Sequence, residues 1–192
     1  MFYKFIKLVA IIFLRFSFRF KVTGFENIPK EGAFLLCANH ISALDPAVLA
    51  IFMKRQPRFM AKKELFQNGL LGWFLRKLGA FPVDRKTADM QAFRISLEVL
   101  KNGDGMIIFS QGTRMKEFEN AKSGVALFAL KSGAPIVPAS IKGKYRFLSR
   151  LTIHVGEPIS MDEHKGKKVK SELIEEVMQT VTKRISALLK QG

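Results

Sequence analysis

Residues 37–50 read CANHISALDPAVLA, and within them His40 and Asp45 are the side chains whose types and spacing could do chemistry. His40 is one of three histidines, with His154 and His164, and it falls in a short polar gap between two apolar runs. A neutral imidazole can take a proton from a hydroxyl near neutral pH. A carboxylate bonded to its other nitrogen fixes the tautomer and stabilises the imidazolium that forms. On one continuous helix a spacing of five would set the two side chains about 140° apart. Contact therefore requires His40 in a loop and Asp45 at the start of a helix, which the Asp45-Pro46 pair favours. From these residues alone a second reading stands beside the first, with Asp45 a mere helix N-cap and His40 an ordinary loop residue. No serine elbow accompanies the pair, since FSQGT departs from G-x-S-x-G. Metal ligation has little to build on: His154 and His164 are far along the chain, in a strand-like run and a charged stretch, and there is no cysteine cluster. The single cysteine, Cys37, lies in an apolar run and reads as a small buried hydrophobe. The use left for His40 is as a general base toward a substrate's own hydroxyl, with neither metal nor cofactor expected.

The elements that must position such a pair follow from the hydrophobic pattern. GAFLLCA is an apolar run of strand length, and PAVLAIFM after it reads as a helix. NGLLGWFLRKLG predicts a helix ending at Gly79. TADMQAFRISLEVLKNG predicts one from near Thr87 to Gly103, with Met90, Phe93, Leu97 and Leu100 on one face. RFKVTGFENIP reads as a strand and turn, MIIF as a buried strand, and AKSGVALFALKSG as a helix closed by Gly133. APIVPASIKG and LTIHVGEPI read as strands. A last helix sets Val169, Leu173, Val177, Val181, Ile185 and Leu188 on one side. Strands alternating with helices predict an α/β domain with a largely parallel central sheet flanked by helices. Sites in such sheets form at the carboxyl ends of strands, where His40 and SQGTR both fall.

With 192 residues, 48% of them apolar, the chain can bury a substantial core. Its net charge of +16 implies a polyanionic partner. The basic residues are grouped: Lys4, Lys7, Arg15, Arg19 and Lys21 precede the first acid, and Lys54, Arg55, Arg58, Lys62 and Lys63 lie between Asp45 and Glu64. The start of the chain, MFYKFIKLVAIIFLRFSFRF, has six phenylalanines, but its longest uncharged run, Leu8 to Leu14, is too short to span a bilayer. On a helical projection Lys4, Lys7, Arg15 and Arg19 share about a third of the circumference, an arc that also takes in Leu8, Ile11 and Phe18. Residues 1–20 are therefore expected to form an amphipathic helix at the membrane interface, and residues 21–192 the α/β domain. The alternative is a terminal helix packed on the protein's own core.

Four blocks then fall into one order. NHISALD resembles the N-H-x-x-x-x-D motif of the glycerolipid acyltransferases, in particular the bacterial 1-acylglycerol-3-phosphate acyltransferases. GAFPVDR (79–85), FSQGTR (109–114) and APIVPASI (134–141) resemble that family's later blocks, and MAKKELF (60–66) is similar to a further segment. The resemblance covers about residues 20–160. It implies an acyl thioester donor, acyl-ACP or acyl-CoA, and a lysophospholipid acceptor, with His40 as base and Asp45 orienting it. It implies an acceptor-phosphate site of Arg85, Gln111, Gly112, Thr113 and Arg114, with Lys62 and Lys122 able to add positive field. Guanidinium groups and a small Gly-Thr turn suit phosphate oxygens. Val137 and Pro138 are placed either along an acyl channel or in ordinary strand core. Gln111 stands where the family pattern has glutamate, which bears on the acceptor more than on acyl transfer. The resemblance implies an enzyme on the anionic surface of a bilayer, peripheral or monotopic on the cytoplasmic face of the cell membrane, with no nucleic acid as partner. Two rivals remain: an acyltransferase for glycerol-3-phosphate or another lysophospholipid, and a non-enzymatic basic protein that binds membranes or RNA. The second explains the charge but not the ordered blocks, and no RNA-module signature is present.

Overall fold

The computed structural model of the chain describes residues 1–84, 89–111 and 119–191, without the side chains of residues 110, 111 and 119–123. The Phe-rich start forms helix α1 (Phe2–Ser17), followed by strand β1 (Arg19–Thr23). The apolar run becomes β2 (Phe34–Asn39), buried at every position, and leads into α2 (Asp45–Phe52). Then come β3 (Arg58–Lys62), α3 (Gly69–Lys77), β4 (Ala80–Val83), α4 (Met90–Lys101), β5 (Gly105–Gln111) and α5 (Glu119–Ser132). The chain closes with β6 (Ile136–Gly143), β7 (Arg150–Val155) and α6 (Ser171–Lys190).

The seven strands form one sheet in the order β1-β7-β6-β2-β5-β3-β4. Only β6 and β7 pair antiparallel; every other neighbouring pair is parallel. The carboxyl ends of β6, β2, β5, β3 and β4 thus share one edge of the sheet. Alternate residues of β2 point to opposite faces, and each face is covered. Phe34, Leu36 and Ala38 pack with Leu14 of α1 and with Val48 and Leu49 of α2. Leu35 and Cys37 pack with Leu100 of α4, Val125 and Ala129 of α5, and Val181 and Ile185 of α6. Each large side chain removed fully from water contributes about 1.5–3 kcal/mol, so β2, with Phe34, Leu35 and Leu36 wholly buried, is strongly held, and His40 follows it directly.

Several sequence expectations change in detail. Helix α1 ends at Ser17 because Phe18 is extended, with φ −140° and ψ 149°. Arg19 therefore lies on β1 and leaves the proposed basic arc, and the expected boundary at residue 20 falls inside a strand of the sheet. Lys7 leaves that arc too: it is half-buried and its ammonium donates to the Met53 carbonyl. Burial lowers its pKa from the usual lysine value. The inner side of α1 packs on the core through Leu14, Ala10 and Ile11, while Phe5, Leu8, Val9, Ile12, Phe13 and Phe16 are exposed. On α4 the buried positions are Ala92, Ser96 and Leu100, whereas Met90 is exposed. Leu100 is buried and Phe93 and Leu97 pack against the same core, so the expected face holds apart from Met90, which stands at the helix start next to the N-cap Asp89, whose carboxylate accepts from Ala92 N at 2.9 Å. Val169 lies ahead of α6 rather than on it. Strands β3 and β4, short and at the far side of the sheet, have no alternating signal of their own in the sequence.

Candidate active site

The site is built where β2 stops. Asn39, 7% exposed, uses its side-chain amide as a further peptide group: Nδ2 donates to the Ile141 carbonyl at 2.8 Å, and Oδ1 accepts from Ile141 N at 2.7 Å. That pair of bonds clamps the end of β2 to β6. On the other side the register to β5 shifts, with Ala38 opposite Phe109 and Asn39 opposite Gln111. The chain then leaves the sheet, and residues 40–44 cross to the start of α2.

His40 lies in this crossing and Asp45 is the first residue of α2, with Pro46 next. His40 Nδ1 and Asp45 Oδ2 are 2.7 Å apart. Asp45 does not cap its own helix: Leu44 holds the N-cap position without a side-chain cap. The Asp45 carboxylate turns back instead, and Oδ2 also accepts from Ile41 N at 2.7 Å and Ser42 N at 2.8 Å. Its other oxygen accepts from the Tyr145 hydroxyl at 2.5 Å. The Asp45 side chain is 0% exposed and the His40 side chain 27%. A carboxylate so enclosed is tolerable only because donors meet both its oxygens. With Nδ1–H donating to Asp45, the lone pair of the neutral imidazole is on Nε2. The Phe109 ring lies on the imidazole, with centroids 4.3 Å apart and planes at 26°. One ring face is thereby covered, and rotation of the imidazole is opposed.

The other sequence-predicted residues are distributed as follows. Lys62 is exposed at the carboxyl end of β3, on the same sheet edge as His40. Its neighbour Lys63 pairs with Asp84, beyond the end of β4, and this carboxylate raises the Lys63 pKa. Gln111 ends β5 beside Asn39; its side chain and that of Lys122 lie outside the described residues. Arg85, Gly112, Thr113 and Arg114 lie outside them altogether. Val137 and Pro138 are both buried in β6, opposite Leu36 and Cys37. Val137 packs in the core beside α1 and α2. A Cβ added at Gly156 would lie 3.1 Å from the Pro138 ring and 3.3 Å from Leu188 of α6. The two residues therefore serve opposite faces of the sheet and do not form one wall. Among the described residues no group of three or more His, Cys, Asp or Glu side chains could hold a metal ion.

Asn39, Phe109 and Tyr145 were not singled out from the sequence. Asn39 had a signal, a polar residue ending an apolar strand immediately before the histidine. Phe109 had a weaker one, as the aromatic at the end of MIIF. Tyr145 had none, because 100 residues separate it from its partner.

Residues 19–142 match the family model described as acyltransferase. The chain belongs to the acyltransferase family. It is 34% identical over 163 residues to a Bacillus subtilis protein named 1-acyl-sn-glycerol-3-phosphate acyltransferase, covering 82% of each chain. A Streptococcus pneumoniae protein of the same name is 32% identical over 203 residues, covering 100% of this chain and 75% of that one. Among solved structures the fold is similar to the 1-acyl-sn-glycerophosphate (LPA) acyltransferase PlsC of Thermotoga maritima, with TM-score 0.71 and 28% identity, covering 97% of this chain and 79% of that one. The His40–Asp45 pair at the carboxyl edge of the sheet can chemically accept a proton from a hydroxyl.

Proposed function

We propose that this acyltransferase moves a fatty acyl group from an acyl thioester, acyl-ACP or acyl-CoA, to the sn-2 hydroxyl of 1-acylglycerol-3-phosphate, giving phosphatidic acid for phospholipid biosynthesis. The observation that carries the reading is the 2.7 Å contact between His40 and a wholly buried Asp45 at the strand-end edge. The names of the two bacterial relatives and of the Thermotoga neighbour support the acceptor. His40 Nε2 takes the hydroxyl proton as the oxygen attacks the thioester carbonyl carbon. The resulting imidazolium is stabilised by Asp45. The tetrahedral intermediate then collapses with cleavage of the C–S bond, and the departing thiolate is protonated by the imidazolium, restoring neutral His40. Arg85, Gln111, Gly112, Thr113 and Arg114 hold the acceptor's phosphate in this proposal, with Lys62 and Lys122 adding positive field.

The same reading places the enzyme on the cytoplasmic face of the cell membrane. No helix among the described residues is long and apolar enough to cross a membrane. The outward face of α1 nonetheless carries Phe5, Ile12, Phe13 and Phe16, the last 72% exposed. Phe2 packs edge-on against Trp73 of α3 at 5.2 Å, and Leu70, Leu71 and Trp73 are exposed beside it. An apolar face of this extent supports a helix lying at the acyl boundary, and the +16 charge supports anionic headgroups as its neighbours. The test is a panel of acceptors (1-acylglycerol-3-phosphate, glycerol-3-phosphate and other lysophospholipids) crossed with acyl-CoA and acyl-ACP donors on anionic vesicles, with products identified by mass. Phosphatidic acid as the main product is expected. Turnover confined to another acceptor would overturn the substrate assignment.

A further inference from the structure

The β6–β7 hairpin turn, residues 144–149, emerges at the same sheet edge as His40, because β6 runs parallel to β2 and pairs with it. Its phenol, Tyr145, donates to the buried Asp45 oxygen that His40 does not use. Among the described residues the titratable side chains hydrogen-bonded to Asp45 are His40 and Tyr145. Burial, and then the Asp45 acceptor, raise the Tyr145 pKa from its ordinary value, so the phenol remains a donor throughout the working range.

The turn that carries Tyr145 is held from several sides. Gly143 precedes it at φ 135°, and a Cβ there would come within 2.4 Å of the Arg150 carbonyl oxygen, so no side chain fits. Leu148 takes a left-handed conformation, φ 58°, uncommon for a residue with a side chain, and its N–H donates to the Ser17 carbonyl of α1 at 2.7 Å. Ser149 Oγ donates to the Lys144 carbonyl, Arg146 N donates to the same carbonyl at 2.9 Å, and the Tyr145 ring packs edge-on against Phe18 at 5.4 Å. A turn fixed this way on its neighbours restricts where the phenol can go.

We infer that Tyr145 is a positioning residue for acyl transfer: its hydroxyl fixes the Asp45 carboxylate in the orientation in which the opposite oxygen holds His40. The inference rests on the reading of His40 as general base. With the phenol in place, Oδ1 is satisfied and cannot compete for the imidazole, so Oδ2 alone faces Nδ1–H. Without it, a buried carboxylate oxygen loses a charge-assisted hydrogen bond, and the carboxylate becomes a stronger but less well oriented partner for the imidazolium.

The experiment compares Tyr145→Phe with the unaltered enzyme on vesicles, measuring kcat, the acceptor KM, the pH profile of kcat/KM and Tm. Phenylalanine keeps the ring that packs on Phe18. The expected result is a fall in kcat of about tenfold, the size of one charge-assisted hydrogen bond, with KM little changed. The acid limb of the profile should move to higher pH, because a less satisfied carboxylate holds the imidazolium more tightly. A packing role alone would lower Tm and leave the limb where it was. The same change made on Asp45→Asn should cost almost nothing further, since Tyr145 acts through that carboxylate. An unmoved acid limb, or losses that multiply in the double variant, would overturn the inference. His40→Ala is measured alongside. If it stays active, the general-base reading fails; if it is inactive while Tyr145→Phe behaves as the unaltered enzyme, only the role of Tyr145 fails.

Discussion

His40 and His154 both sit at the sheet, and the difference between their surroundings separates a candidate base from a structural histidine. His40 follows β2 at the strand-end edge, faces a buried carboxylate on one nitrogen and is partly open to solvent. His154 is buried in mid-sheet, in register between Thr23 of β1 and Ser140 of β6. Its Nδ1 and the Thr23 hydroxyl are 2.6 Å apart, and its buried Nε2, like the Ser140 hydroxyl, has no hydrogen-bond partner among the described residues. Burial, then the charges of Lys21 and Lys142, lower its pKa from the ordinary histidine value. An anion next to the ring favours uptake of a proton; cations and burial oppose it. The same side chain thus faces a buried carboxylate in one place and is held neutral by burial and neighbouring cations in the other.

The largest test of that contrast is His40→Ala, expected to cost about 10³-fold in kcat, within the range of general acid–base catalysis. Thermal unfolding and vesicle binding should be retained; turnover within a few-fold of normal would end the contrast. Asp45→Asn should cost roughly 10²-fold, since the amide can present an N–H to the imidazole and reverse its tautomer, and turnover at several pH values checks it. Unchanged turnover would show that the buried carboxylate serves only the loop. Asn39→Ala tests whether the clamp holds the base in place. It strands the buried N–H and carbonyl of Ile141, each worth about 1–3 kcal/mol. Tm should fall by roughly 5–15 °C, by the usual scaling for a chain of this length, and residual activity should fall as well; a Tm change under about 2 °C would contradict the role. The smallest effect belongs to His154→Gln. The folded protein takes up the His154 proton at lower pH than the unfolded chain does. Stability from this group is therefore complete above its ordinary value of 6.5 and declines as pH falls below it. The variant should lose less Tm than the unaltered protein between about pH 7 and pH 5, with activity near normal at pH 7. An equal acid loss in both proteins would show that His154 contributes none of it.

Strands β2 and β5 were legible as uninterrupted apolar runs, because a strand buried on both faces needs no alternation. Helices α4 and α6 were legible from their periodicity. On α4 Phe93, Leu97 and Leu100 pack on the core as their spacing predicts, while Met90 has the right type but sits exposed at the helix start, and the small Ala92 and Ser96 are buried beside them. The terminal helix packs on the protein's own core, one of the two alternatives held open for it, and also keeps an exposed apolar side. One side packs on the core and draws in Lys7, and the other leaves a row of aromatic and aliphatic side chains exposed. Amphipathic projection could not anticipate this, since it assumes that cations point to water, whereas a lysine stem can be buried with its ammonium on a backbone carbonyl.

By itself the sequence determined the alternation of strands and helices, which follows from local hydrophobic pattern, and it placed His40 and Asp45 five residues apart across a strand end and a helix start without joining them. What only the tertiary structure decided is the company that pair keeps. Tyr145 on one Asp45 oxygen, Phe109 on the imidazole and Ile141 on the Asn39 amide come from β5, β6 and the turn after β6. Their meeting at His40 follows from the strand order β6-β2-β5, a long-range pairing that no local spacing encodes.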